Sequence, residues 1–216
     1  AQLCLDMRHA DGAPASCFTL KVAHVDTRGF RPFAWSARSR AAAKRLHCAL
    51  PTHAKTRSID LARAPSADAS LQRAIDLGAV RTGAAMVTPD QCDAFGRLRG
   101  EHFVGRVSDS VPNLLAQFRR DSAANGEMPA GAVVEARFVW RHFPHAGDLI
   151  EVRSGIAEIG EKTLRLAHWL CDPESGGVWA SMEAVALTFD TTTRKAISPP
   201  PEARARLQKH VIAMAV

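Results

Sequence analysis

VTPDQCDAFGRLRGEHFVGRVSDSV, residues 87–111, decides how this chain folds. An apolar run, AVRTGAAMVTP at 79–89, ends at Pro89; Asp90 and Asp93 follow in a short turn, and then the pattern changes. From Gly100 to about Arg120 the apolar residues Phe103, Val107, Val111, Leu114, Leu115 and Phe118 recur at steps of four, four, three, one and three. That is the period of one face of an α-helix, so the stretch predicts a strand, a turn and a long amphipathic helix. Pro112 lies inside the helical run. Its missing N–H and its ring predict a kink or a division there. The two aspartates have a plain reading as turn formers or helix caps. A carboxylate at a strand-to-helix exit is also well placed at the mouth of a cleft.

Working outward, DSAANGEMPAG (121–131) reads as a loop and four strand-like stretches follow. Residues 133–142 place Val134, Ala136, Phe138 and Trp140 on one side. Residues 149–159 come after the turn PHAGD, residues 162–171 alternate through Leu164, Leu166, His168 and Leu170, and residues 178–189 follow the turn DPESGG. Tight turns between consecutive strands predict antiparallel pairing. The order β-α-β-β-β-β is an α+β unit, one long helix covered by a sheet.

The beginning of the chain resembles the end of that unit. SCFTLKVAHVDTRGFRPFAWS (16–36) lies on KTLRLAHWLCDPESGGVWASM (162–182) at one constant offset, and CALPTHAKTRSID resembles ISPPPEARARL further on. This internal repeat predicts a partial first unit made of strands over 1–65, a short linker helix within 66–78 and a complete unit over 79–216.

Composition sets bounds on function. The 216 residues are 46% hydrophobic and 23% charged, as in ordinary globular proteins. No run of apolar residues is long enough to cross a membrane, and no signal-peptide pattern opens the chain. It begins at Ala1 rather than Met, which points to processing, trimming or a fragment. Five scattered cysteines without a CxxC read as reduced thiols in a cytoplasmic protein. The histidines show no ligand spacing against them, so no metal is expected. The formal charge of +6 suits an anionic partner such as a phosphorylated cofactor or an acidic carrier protein. No RRM, zinc-finger or basic-helix signature accompanies it, so nucleic acid is not expected.

QCDAFGRLRGEHF (91–103), PHAGDLIEV (144–152) and GGVWASMEAVALTFD (176–190) running into TRKAISPPPEARARL come in the order found in hotdog-fold thioesterases. The sequence resembles the 4-hydroxybenzoyl-CoA thioesterase type of that superfamily over residues 79–208, and over 1–65 only through the repeat. The resemblance implies a hotdog fold, here a double hotdog with an incomplete first unit. It implies hydrolysis of an acyl-CoA or acyl carrier protein thioester without a cofactor. Sites at the seam between two units imply a homo-oligomer.

Residue by residue, Asp93 falls on the family's catalytic aspartate, as base or nucleophile. Gln91 stands where the family's first acid would be. Gly100 falls on the position whose backbone N–H polarises the thioester carbonyl, where a helix start offers unpaired N–H groups and a partial positive charge. Some hotdog thioesterases use a glutamate on the helix, which makes Glu101 a rival base. Arg97, Arg99, His102 and Arg106 are candidates for binding the substrate, the arginines through CoA phosphates. Arg97 stands where many relatives have histidine. That departure, and a first unit without an acidic turn, leave open a non-catalytic module that grips an acyl chain or acyl-CoA. Dehydratase signatures of the D-x-N-P-x-H kind are absent. Cys92 has no identified histidine partner, and Ser108–Asp109–Ser110 lies in the helix rather than in a GxSxG elbow.

Overall fold

The computed structural model describes residues 1–26, 29, 31–120 and 130–216, without the side chains of 117–120 and 130. The chain divides into two compact units, residues 1–57 and 58–216. The predicted loop at 121–131 falls largely outside the described residues, as does the Phe118 side chain.

In the first unit β1 (Gln2–Arg8) and β2 (Pro14–Lys21) form an antiparallel hairpin in which Asp6 lies opposite Cys17. Two-residue strands β3 (His24–Val25) and β4 (Pro32–Phe33) pair with each other. Helix α1 (Ala37–Arg45) follows, capped by Ser36, whose Oγ accepts the Ser39 N–H at 3.0 Å. A single 3-10 turn spans Thr52–Ala54. The expectation of strands alone over 1–65 is therefore corrected. A serine cap followed by ARSRAAAKR, rich in Ala, Arg and Lys, is a strong local helix signal that the repeat alignment overrode. Ala54 is the one buried residue among those described in this unit.

The second unit opens with α2 (Leu71–Asp76), capped by the Ser70 hydroxyl and lying within the predicted linker. Then come β5 (Val80–Met86), α3 (Gly100–Arg120), β6 (Ala130–Trp140), β7 (Leu149–Ile159), β8 (Thr163–Cys171), β9 (Val178–Phe189), β10 (Ala196–Ile197) and α4 (Pro201–Gln208). The strands form one antiparallel sheet in the order β6-β9-β8-β7-β5, with β10 pairing the last residues of β9. The two stretches aligned by the repeat do not share a pairing. β8 and β9 pair with each other, whereas β2 pairs with β1 and β4 with β3.

Helix α3 lies on one face of the sheet. Its Phe103, Val107 and Leu114 pack with Ile150, Val152 and Ile156 of β7, Leu166 and Leu170 of β8, and Met182 and Ala184 of β9. Each of the larger of these side chains contributes about 1.5–3 kcal/mol when taken out of water. Of the two outcomes expected at Pro112, division does not occur: one helix runs from Gly100 to Arg120. Residues on both sides of the proline are anchored. Ser110 and Leu114 are buried, and Asn113 Nδ2 donates to the Thr82 carbonyl at 2.7 Å. The opposite face of the sheet, with Ala167, Trp169 and Cys171, is covered by Ala74 of α2, Ala79 and the C-terminal Met214 and Val216. The Trp169 indole N–H donates to the Ala215 carbonyl at 3.0 Å. All five cysteines are free, and among the described residues no helix is long and apolar enough to cross a membrane.

Candidate active site

The turn between β5 and α3 is a small hairpin. Arg99 N–H donates to the Gln91 carbonyl, Cys92 bridges Leu98, and Asp93 N–H donates to the Arg97 carbonyl at 2.7 Å. Gly96 closes the tip at φ +75°, a conformation glycine adopts without strain. Asp93 Oδ1 accepts two backbone N–H groups, from Phe95 at 2.8 Å and Arg97 at 3.0 Å. Both readings of this aspartate therefore coexist: one oxygen shapes the turn, and the carboxylate as a whole is exposed. The Arg97 N–H foremost, joined by the Phe95 N–H and the charges of Arg97 and His145, holds the carboxyl below its usual range against the opposing effect of desolvation. It is an anion at neutral pH.

The hairpin is tied down from outside. Leu98 N–H donates to the Pro144 carbonyl at 2.8 Å, and Arg97 bridges His145. The His145 ring reaches the turn: a Cβ built on Gly96 would lie 3.9 Å from its Cδ2. His145 N–H in turn donates to Asp148 Oδ2 at 2.7 Å. Nothing local in PHAGD distinguishes this histidine from a turn residue, so the sequence reading did not single it out.

Gly100 begins α3, and among the described residues no acceptor meets its N–H. The first N–H groups of a helix have no intrahelical partner and carry its positive end. A Cβ on Gly100 would lie 4.0 Å from the Trp140 ring, so the indole at the end of β6 stands beside this residue. Trp140 stacks with Phe138, and Phe143 meets Phe103 edge-on at 5.8 Å. The helix start thus has an aromatic flank, partly open to solvent at Trp140.

The remaining candidates separate. Glu101 is exposed and ion-paired with Arg99 at 2.8 Å; its own backbone N–H lowers its pKa. Arg99 also reaches the His102 ring at 2.9 Å. Arg97 lies over the Phe95 ring, 5.8 Å from its centre. Arg106 is occupied within the protein: its Nη2 donates to Gln91 Oε1 at 2.7 Å and to the Met86 carbonyl at 3.2 Å. Gln91, at the family's first acid position, thereby links helix to hairpin. A cavity of about 460 Å³ in this unit lies elsewhere, lined by Arg63, Glu158, Arg165 and Glu183. Within 93–100, Asp93, Ala94, Phe95 and Arg99 are exposed, Gly96, Arg97 and Gly100 are half-buried, and Leu98 is buried.

A long helix packed on an antiparallel sheet and entered through a short turn is the architecture of a hotdog fold. The chain belongs to the Thioesterase-like superfamily, whose sequence model matches residues 87–207. No curated protein sequence matches it. Among solved structures it is similar to a provisionally assigned thioesterase from Pseudomonas putida KT2440, at 22% identity and TM-score 0.53 over 62% of this chain and 85% of that one. It is also similar to a Staphylococcus aureus protein solved in complex with CoA, at 17% identity and TM-score 0.52 over 64% and 90%. A third is a 1,4-dihydroxy-2-naphthoyl-CoA thioesterase from Synechocystis, at 16% identity and TM-score 0.50 over 59% and 95%. At these identities the likeness is one of fold.

Proposed function

We propose that the chain hydrolyses an acyl-CoA thioester at the face formed by the Asp93 turn and the start of α3, with an acyl carrier protein thioester as the alternative donor. The observation that carries this reading is the unpartnered Gly100 N–H at the positive end of a 21-residue helix, joined to an exposed, ionised Asp93 by one hairpin. The thioester carbonyl accepts the Gly100 N–H, which stabilises charge developing on its oxygen. Asp93 removes a proton from water as water adds to the carbonyl carbon, or itself attacks that carbon to give an anhydride that water then opens. In either route the C–S bond breaks and the thiol leaves with a proton. Trp140 flanks the acyl group. Arg97 and Arg99 face the CoA phosphates, while Arg106 positions Gln91 and the turn. The CoA complex of the Staphylococcus aureus relative and the acyl-CoA activity in the name of the Synechocystis relative support a CoA thioester as substrate. In this reading a second copy of the chain completes the site.

The test uses the backbone itself. Gly100 is the first helical residue, a position that proline tolerates. Gly100→Pro removes the N–H and keeps the helix; Gly100→Ala keeps both. The reading expects Pro to lower kcat by about 10²–10³ and Ala to leave most of it. Equal rates in the two variants would contradict it.

A further inference from the structure

The histidine and cysteine spacing along the chain argues against a metal, but the fold of the first unit brings three donors together. Asp6 and Cys17 lie opposite each other in the β1–β2 ladder. His53, on the turn Thr52–Ala54, comes from 36 residues beyond Cys17. His53 Nε2 lies 3.0 Å from Asp6 Oδ1, Cys17 Sγ lies 3.3 Å from the same oxygen, and all three donor atoms lie within 4.8 Å of one another. Donors around a tetrahedral zinc ion, at about 2.0–2.3 Å from it, stand roughly 3.3–3.8 Å apart. Small side-chain shifts therefore convert the cluster into a coordination shell.

We propose that Asp6, Cys17 and His53 form a binding site for a zinc ion, with water in the fourth position. The donor set fits zinc in particular: one thiolate, one imidazole and one carboxylate mix soft and hard character, which calcium and magnesium sites do not. Binding releases the Cys17 thiol proton, now directed at Asp6, to solvent. Asp6 is already oriented. Arg8 Nε and Nη2 both hold its Oδ2, at 3.0 and 2.8 Å, leaving Oδ1 toward the other two donors. A carboxylate ligand fixed through its outer oxygen is a common supporting arrangement. The charges are compatible: Zn²⁺, thiolate, carboxylate and guanidinium together leave one positive charge.

A second observation points the same way. Ala54, beside His53, is the one buried residue described in this 57-residue unit, while Leu3, Leu5, Met7, Phe18 and Phe33 are exposed. A unit of this size with so little core is the kind that a structural metal holds together.

The experiment is zinc and cobalt titration of the chelator-treated, full-length protein. One equivalent of zinc is expected to bind. Cobalt is expected to give thiolate-to-metal absorption in the near ultraviolet that is lost in Cys17→Ser and kept in Cys48→Ser, whose cysteine is exposed in the same unit. His53→Gln, a change at an exposed position, is expected to weaken zinc binding about tenfold or more. No saturable binding by the folded protein, or identical behaviour of Cys17→Ser and Cys48→Ser, would overturn the site.

Discussion

Asp93 and His168 are held by their surroundings in opposite ways, one as an exposed anion and the other as a buried neutral ring. Backbone N–H groups keep the Asp93 carboxyl below its ordinary range, so it stays ionised until the pH falls past the usual carboxylate value of about 3.9. If Asp93 is the group that must be ionised, the acid limb of kcat/KM lies below about pH 4. A limb well above that range would show that a group other than Asp93 must be ionised. His168 lies at the centre of β8, facing α3. Its Nδ1 is 2.8 Å from Ser154 Oγ, which is 2.9 Å from Thr82 Oγ1. Its Nε2 has no partner among the described residues. Burial lowers its pKa from 6.5 to about 4. The folded protein binds fewer protons than the unfolded chain between those values. Stability is therefore fully present above about pH 6.5 and falls as the pH drops toward 4. Urea midpoints should decline between pH 7 and pH 4.5 in the wild type and much less in His168→Leu. Parallel declines would remove His168 as the cause.

At the scale of elements, the C-terminal segment is as much a part of the sheet's packing as α3. Ile212 N–H donates to the Ile156 carbonyl, and Gly155 is the gap that admits its side chain: a Cβ there would lie 2.7 Å from Ile212 Cγ1 and closer still to Cδ1. Gly155→Ala should cost about 1–3 kcal/mol by overpacking, read as a lowered urea midpoint. An unchanged midpoint would mean that the segment is displaced at little cost. Helix α3 was legible because its 3.6-residue period is set by burial of one face on the sheet, and β7 to β9 because tight turns bound apolar runs that are buried on both faces. The places of Asp93 in the turn and Gly100 at the helix start were legible for a related reason, since a strand, a turn and a helix follow one another without interruption. The approach of His145 was not, because it depends on the Leu98–Pro144 hydrogen bond between segments more than forty residues apart. Continuity through Pro112 was hidden similarly. A proline costs a helix about 3 kcal/mol, and only tertiary burial of Phe103, Val107 and Leu114 offsets it. The pairing of β2 with β1 was not legible, because a likeness along the chain does not specify the neighbouring strand.

At the scale of the molecule, the family match at 87–207 falls entirely in the second unit. Edge strand β6 leaves Val133 and Val134 about half exposed, and Trp140 at its end is 41% exposed beside the helix start. If a second copy completes the site, specific activity should fall on dilution, in step with loss of the larger species by light scattering. Activity proportional to concentration across that transition would show that one chain suffices. The measurement that bears most directly on the whole account is release of free thiol from a panel of acyl-CoAs, wild type beside Asp93→Asn. Asparagine retains an oxygen for the Phe95 and Arg97 N–H groups but carries no charge, so the turn survives while the chemistry does not. The account predicts thiol release by the wild type and near-complete loss in the variant, with unchanged melting. Undiminished release by Asp93→Asn would leave this carboxylate as a turn former and contradict the proposed site.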